Sequence, residues 1–581
     1  MTTLKLYKHV LLWLLCYLVS SGIEVNGLDY DYSFSSECLT NPLEPQYGGG
    51  IVLNPDISEG LNGWSKFGDA KLELRISKDG NKFIAASDRN ALHDSPSQTF
   101  FLRKGTFYVI SAWLRISEGN SPITTAFKTS TGIKNAGTVF AQSGCWSMLK
   151  GGLVVNASGP AQLHFRSENA TVELWVDSIS LQPFSEDEWK AHQDQTIEKV
   201  RKSKVIFRAV DPQGRPLANA SISIRQLIGN FPFGCAINKN ILPNPAYKSW
   251  FTSRFRLTVF ENEMKWYSTE TSPGKEDYSV ADTLLRFATM NGAVVRGHNV
   301  LWDDPQYNPS WVQALSPGDL EAAATKRVNS IVTRYKGQLI HWDVVNENIH
   351  HNFFESKLGE TASSVFYGQA NQIDGKAIPF LNDYNTIEKK DDQTSSPPKY
   401  LAKIKELRSQ GYQGPLGIGL EGHFGAPDLA YVRTSIDLLA STKLPIWVTE
   451  LDVSSQPNQA TYLDQIIREV RGHPAIQGLL IWAAWSPQGC YRMCLTDNNF
   501  RNLPTGDVVD RIIKELKHED LIGTTDDEGH FETSLYHGDY EAIISHPAMT
   551  SSSSSVGMKF NVAPTTNQET LDVKFSSISF S

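Results

Sequence analysis

The sequence predicts an α/β chain: a (β/α)8 TIM barrel catalytic domain with an N-terminal β-sandwich and a small additional β domain. Three observations carry this. Between 230 and 522, short apolar runs alternate with longer amphipathic stretches. From 40 to 185, alternating β-like runs are broken by Gly, Asn, Asp and Ser turns, and after 522 the chain turns β again. At 581 residues the chain is too long for a single core, so several domains are expected.

Taken in chain order, Lys5 and Lys8 precede VLLWLLCYLVSS (10–21), the charged-then-apolar pattern of a signal peptide over 1–27, with cleavage expected within 21–28. A membrane-spanning helix needs about 20 apolar residues, and Glu24 and Asn26 interrupt too soon. Asn156, Asn169 and Asn219 each begin an Asn-x-Ser/Thr glycosylation signal, which fits a secreted, extracellular or cell-wall glycoprotein. Six cysteines become five once Cys16 leaves with the signal. Cys490 and Cys494 are close enough to bridge, Cys38 and Cys145 form a second candidate pair, and Cys235 would be left free and buried. Sequence does not fix this connectivity.

Runs such as KLELRIS, TFYVISAWLRIS, AQLHFRS and VELWVDSISL suggest an antiparallel sandwich over 40–185. The charged segment 186–202 reads as a helical linker. KVIFRAV and ASISIRQ make 203–229 the first part of a small β-sandwich whose second part is 523–581. Neither piece can bury a core alone. The expectation is one discontinuous sandwich with the barrel inserted between its strands, which nearby termini make tolerable.

The barrel, over 230–522, offers eight strand runs: 233–238, 256–263, 292–302, 339–347, 378–385, 415–424, 445–453 and 476–485. Eight repeats in this length suit a closed barrel. A doubly wound open sheet is the alternative, but no Gly-rich phosphate loop follows the first strand. The net charge of -9 disfavours nucleic acid, whose binding needs clustered Lys and Arg. No Cys/His cluster has metal-ligand spacing, so no metal site is expected.

HWDVVNE (341–347) and IWVTELD (446–452) each close an apolar run with a carboxylate. A lone glutamate at a strand end is ordinarily a solvated rim residue. In a barrel, however, the strands' C-terminal ends converge on one face, and a pair of carboxylates flanking one bond is what glycoside cleavage requires.

These motifs, with ENEMKW (261–266), RGHNVLW (296–302), FLNDYN (380–385) and GLEGHF (419–424), resemble glycoside hydrolase family 10, the retaining endo-1,4-β-xylanases. The resemblance implies that Glu347 is the acid/base and Glu450 the nucleophile. It further implies that His423 hydrogen-bonds the nucleophile and is oriented by Asp452, and that Asn346 contacts the sugar 2-hydroxyl. Glu261, Asn262 and Lys265, with His298, Trp302 and Trp482, would bind sugars on the non-reducing side, and Glu421 is a further substrate-binding position. The implied substrate is xylan or a related β-1,4-linked polysaccharide, cut by a monomer without cofactor. Transglycosylation from the same residues, or a wall-glycan-binding protein with weak catalysis, are the rival readings.

Three departures from the family pattern stand out: Asp303-Asp304-Pro305 where His is common, Glu421 where Gln is usual, and AAWSPQGCYRMC (483–494) in place of a segment that supplies a roofing Trp. Trp485 or Tyr491 would have to replace that Trp. Residues 46–183 are similar to family 22 carbohydrate-binding modules, with Arg89 at a ligand-contacting position and Leu92 where a stacking Trp is usual. The pieces 203–228 and 523–581 resemble halves of a carboxypeptidase regulatory-like domain.

Overall fold

The computed structural model describes residues 27–517, 521–547, 555–564 and 569–574. The signal-peptide segment, apart from Gly27, and Cys16 lie outside the described residues. Two units divide the chain after Tyr32. In the short first unit the Tyr30 and Tyr32 rings meet edge-on at 4.6 Å.

Within the second unit, eight parallel strands close a barrel: Phe233–Cys235, Leu257–Val259, Val294–Arg296, His341–Asp343, Ile378–Asp383, Gly417–Leu420, Ile446–Val453 and Ile476–Ile481. Ladder pairing joins the first strand to the eighth and the fourth through the eighth in order. Strands two and three pair with each other. Bridges Ile237–Phe260 and Gly297–Trp342 complete the ring. Each strand falls inside a run the sequence marks, because Val, Ile and aromatic side chains fill both the barrel interior and the layer beneath the helices. Two of the helices begin on side-chain caps. Ser316 accepts the Asp319 N–H at the start of Pro317–Arg334, and Asp428 accepts the Tyr431 N–H at the start of Leu429–Ala440.

Upstream lie two five-stranded antiparallel sheets. Ile84, Ile110, Leu114, Phe127, Leu163 and Phe165 are fully buried between them. The Cys38–Cys145 and Cys490–Cys494 disulfides are both formed, and Cys235 is free and buried. Arg89 is not offered to a ligand. Its guanidinium donates to the carbonyls of Asp94, Asn169, Val172 and Leu92 and to Ser167 Oγ, so it pins the sheet edge instead.

The segment read as a linker is helix Glu186–Arg201, opened by a capping box between Ser185 and Glu188. It is packed rather than solvated. Trp189 Nε1 and Gln193 Nε2 each donate to Glu469 Oε2 at 2.7 Å, and Arg433 Nε donates to Glu469 Oε1 at 2.6 Å. The Arg433 guanidinium also lies 3.5 Å from the Trp189 ring centroid. A buried carboxylate satisfied this fully is costly to break. The polar composition of the helix hides one tryptophan whose burial fixes it to the barrel.

Strand Lys202–Val210 pairs antiparallel with His530–Tyr536 and parallel with Glu569–Lys574. Strand Ser221–Gly229 pairs with Leu521–Thr524 and Gly538–Ser545, and the latter with Val556–Val562. Val205, Phe207, Ile222, Ile224, Tyr540 and Ile544 share one core. Truncation at residue 522 should therefore strip hydrogen-exchange protection from 203–228 while the barrel strands keep theirs. Retained protection in 203–228 would mean that this half holds its structure unaided.

Candidate active site at the barrel mouth

Strand four breaks at its carboxylate. Glu347 has φ +58°, a left-handed conformation that non-glycine residues rarely hold and that concentrates at functional sites. Its N–H donates to the Asn382 carbonyl at 2.9 Å and its carbonyl accepts from the His351 N–H at 3.0 Å, so neighbouring elements hold the turn. Val345–Asn346 runs parallel to Leu301–Trp302, which brings Trp302 beside this turn.

Asn382, at the end of strand five, joins the acidic groups. Its Nδ2 lies 3.0 Å from Asn346 Oδ1, 3.2 Å from Glu421 Oε1 and 3.1 Å from Glu450 Oε1. Thr449 Oγ1 fixes the amide by donating to its Oδ1 at 2.6 Å. Gly419 makes room, since a Cβ there would sit 2.3 Å from that oxygen. Sequence reasoning passed over Asn382; the only signal was its place within FLNDYN.

The buried carboxylates differ in their protonation. Burial alone would raise the Glu450 carboxyl. The charges of His298, His423 and Lys265 outweigh it and hold Glu450 well below the ordinary range. Both His298 Nδ1 and His423 Nε2 lie 3.7 Å from its oxygens. Glu347 goes the other way, pushed up to about 8 by burial first and then by the charges of Asp383 and Glu450, against the pull of Trp302 and Lys265. Glu421 is also raised, by burial and by the charges of Glu450 and Glu347. Two neighbouring carboxylates pushed apart in this way divide into a proton donor and an anion.

The supporting groups surround them. His423 Nδ1 is 3.1 Å from Asp452 Oδ2 and its Nε2 is 3.4 Å from Glu421 Oε2. Burial would lower the His423 imidazole, but Asp452, Glu421 and Glu450 override it and favour the cation. His298 Nδ1 lies 2.8 Å from Asp343 Oδ2, and Asp343 is paired with Arg296. The Lys265 ammonium is buried 4.4 Å from the Trp302 ring centroid and 5.6 Å from that of Trp482. Glu261 accepts from Asn238 Nδ2 at 3.0 Å and is raised to about 7, chiefly by burial. Asn262 accepts from the Tyr267 hydroxyl at 2.6 Å.

Residues 223–502 match the sequence model of Glycosyl hydrolase family 10, and residues 49–168 match a Carbohydrate binding domain. Three curated Arabidopsis thaliana proteins are similar along almost the whole chain. Endo-1,4-beta-xylanase 5-like is 39% identical over 94% of this chain and 95% of its own length. Endo-1,4-beta-xylanase 5 is 39% identical over 95% of each chain, and endo-1,4-beta-xylanase 4 is 36% identical over 94% of each. This chain belongs to glycosyl hydrolase family 10.

The three departures from the family 10 pattern resolve into distinct local structures. Asp303 is fully buried, accepting from Asn348 Nδ2 at 2.7 Å and from the Phe354 N–H at 2.9 Å, and so staples the turn that follows Glu347. A histidine does stand beside Glu347, supplied from elsewhere: His351 Nε2 lies 3.7 Å from Glu347 Oε2 and 3.5 Å from Asp304 Oδ2. Trp485 does not replace the roofing Trp. It is buried against Tyr247 and Phe500, with its Nε1 donating to Asn498 Oδ1 at 2.9 Å. Tyr491 is 99% exposed at the tip of the disulfide-closed turn.

That turn carries a residue no motif announced. Arg492 Nε donates to Asp452 Oδ1 at 2.6 Å and its Nη2 to the Phe424 carbonyl at 2.6 Å. It thereby holds the carboxylate that faces His423. Two carboxylate–imidazole triplets, Asp304/Glu347/His351 and Glu421/His423/Glu450, have their polar atoms within 4.8 Å of one another. Linear spacing could not reveal the second set, whose members come from two strands.

Proposed function

We propose that this family 10 hydrolase is a secreted, retaining endo-1,4-β-xylanase, with Glu450 as nucleophile and Glu347 as acid/base. The observation that carries the reading is that Asn382 holds both residues, its carbonyl accepting from the Glu347 N–H at 2.9 Å and its Nδ2 donating to Glu450 Oε1 at 3.1 Å, with the Glu347 carboxyl shifted up and the Glu450 carboxyl shifted down. Glu450 attacks the anomeric carbon while Glu347 gives its proton to the departing glycosidic oxygen, leaving a covalent glycosyl-enzyme. Glu347, now an anion, takes a proton from water as that water attacks the same carbon and releases Glu450. Cation at His423 favours the nucleophile's charge, Asp452 orients the ring, and Asn346 meets the 2-hydroxyl. Glu261, Asn262, Lys265, His298, Trp302 and Trp482 bind the non-reducing side, where hydroxyls call for short polar groups and sugar C–H faces for aromatic ones.

The two upstream sheets form a family 22-type sandwich over 40–185, and 203–229 with 523–581 form one discontinuous sandwich around the barrel. Secretion is supported by the exposure of Asn156, Asn169 and Asn219 on turns. Among the described residues no helix is long and apolar enough to cross a membrane.

The test is release of reducing ends from xylan compared with carboxymethylcellulose. Xylan should be cut far faster; comparable or higher rates on the cellulose derivative would defeat the assignment. Arg492→Met is expected to lower kcat on xylan about tenfold and to move the acidic limb of the profile upward, because Asp452 and His423 lose their anchor. Arg492→Lys should recover part of both effects. A variant with altered kcat but an unshifted acidic limb would reduce Arg492 to a purely structural role.

A further inference from the structure

Between the upstream sheets and the barrel runs a narrow groove with a free volume of about 80 Å³. One wall is a sheet face carrying Thr124, Thr138 and Arg166. Their neighbours Ile123, Val139 and Phe165 point into the sheet core, so strand alternation turns these three outward. The other wall is the barrel segment that follows strand five, including Asp392 and Gln393.

The two walls are fixed relative to one another. Lys150 Nζ and Asp437 Oδ2 form a 2.7 Å ion pair with neither side chain exposed. Asp437 also faces His473 Nε2 at 3.0 Å. Gly152 packs so closely on the helix Leu429–Ala440 that a Cβ would lie 2.3 Å from the Ala430 backbone. The Val154 N–H donates to Asp428 Oδ2 at 3.1 Å, and Asn135 Nδ2 to Asp391 Oδ1 at 2.6 Å. A module docked through a buried charge pair does not swing on a tether.

The groove is also tied to the acid/base turn. Asp392 Oδ2 accepts from Asn385 Nδ2 at 2.6 Å and lies 3.3 Å from His350 Nε2. His350 Nδ1 is 2.5 Å from Asp383 Oδ1, and its ring stacks on Tyr384 at 3.7 Å. His350 follows Glu347 by three residues, at most about 11 Å of chain. The groups assigned to the non-reducing side come from strands two, three and eight. A glycan lying over them and past Glu347 leaves the barrel mouth on the strand-five side, toward this groove.

We propose that this groove binds the leaving-group side of a long β-1,4-linked glycan, as an extension of the cleft shared by both modules. The proposal rests on the hydrolase reading above. The chemistry fits an uncharged, hydroxyl-rich chain. The lining offers hydroxyls and amides, and its charges are of both signs: Lys150 is paired to Asp437 at 2.7 Å and Lys390 to Asp428 at 2.8 Å, which leaves Arg166 and Lys399 against Glu168 and Asp392. No single-sign field exists there to select an ion.

The experiment compares kcat/KM on long xylan and on an aryl xylobioside too short to reach the groove. The full chain is used, as wild type, as Arg166→Ala/Gln393→Ala, and as Thr138→Trp, which fills the groove. Two lost hydrogen bonds, each worth a few-fold, should lower kcat/KM on xylan about tenfold through KM, with the xylobioside rate unchanged. Thr138→Trp should reproduce this. Wild-type ratios in both variants overturn the groove proposal alone. Equal losses on both substrates also overturn it, because they signal damage to the fold. A wild type inert on both substrates overturns the hydrolase reading, and the groove proposal with it.

Discussion

Glu450→Gln is expected to lower kcat on xylan on the order of 10⁵-fold, the scale seen when a covalent nucleophile is removed. The substitution keeps shape and takes away charge. An amide oxygen cannot form the glycosyl-enzyme, and no other described side chain occupies its position between His298 and His423. Glu421 also faces His423, but burial raises its carboxyl well above the ordinary range and so disfavours the anion a nucleophile needs. With the 450 charge gone, Glu421 and Glu347 both lose part of what raises them, so residual activity should carry an alkaline limb at lower pH than wild type. Circular dichroism and thermal unfolding should show a folded chain. Steady-state rates on xylan check the loss, and a variant retaining more than about one per cent of wild-type turnover would move the nucleophile elsewhere.

The eight barrel strands were legible because each is a short run of β-branched and aromatic residues bounded by turn residues, and because barrel closure repeats that unit eight times. The two glutamates were legible for the same reason: strand ends share one face whatever their separation in sequence. Legibility failed where a side chain's role depends on what packs on it from far along the chain. Trp189 in a charged helix gave no hint of Glu469, 280 residues later, and Lys150 gave none of Asp437. Asn382 and Arg492 act on Glu450 and Asp452 through single hydrogen bonds across strands, a relation that linear spacing does not encode. Asp303 is a further case: the sequence marks it only as a departure from the family pattern, and its part as a staple for the next turn depends on Asn348 and the Phe354 N–H, both of which donate to it.

Glu347→Ala separates the two chemical steps. General acid catalysis contributes about 10²–10⁴-fold where the leaving group is a poor one. Xylan, whose leaving group is a sugar alkoxide, should lose roughly 10³-fold in kcat/KM. A dinitrophenyl xylobioside departs without a proton and should keep kcat/KM within about tenfold, while its kcat falls because no base remains to activate water. Added azide needs no base, so it should restore kcat and yield a β-glycosyl azide.

The pH dependence carries the sign. In the proposed mechanism Glu347 holds its proton in the first step, and burial with the charges of Asp383 and Glu450 raises its titration to about 8. Wild-type kcat/KM on xylan is therefore expected to be level from the acidic limb set by Glu450 up to that value and to fall as pH rises through it. The alkaline limb should vanish in Glu347→Ala and for the activated substrate. If the limb persists in the variant, the group that titrates near 8 is another one, and the acid must be sought among His351, Glu421 and the residues beside them.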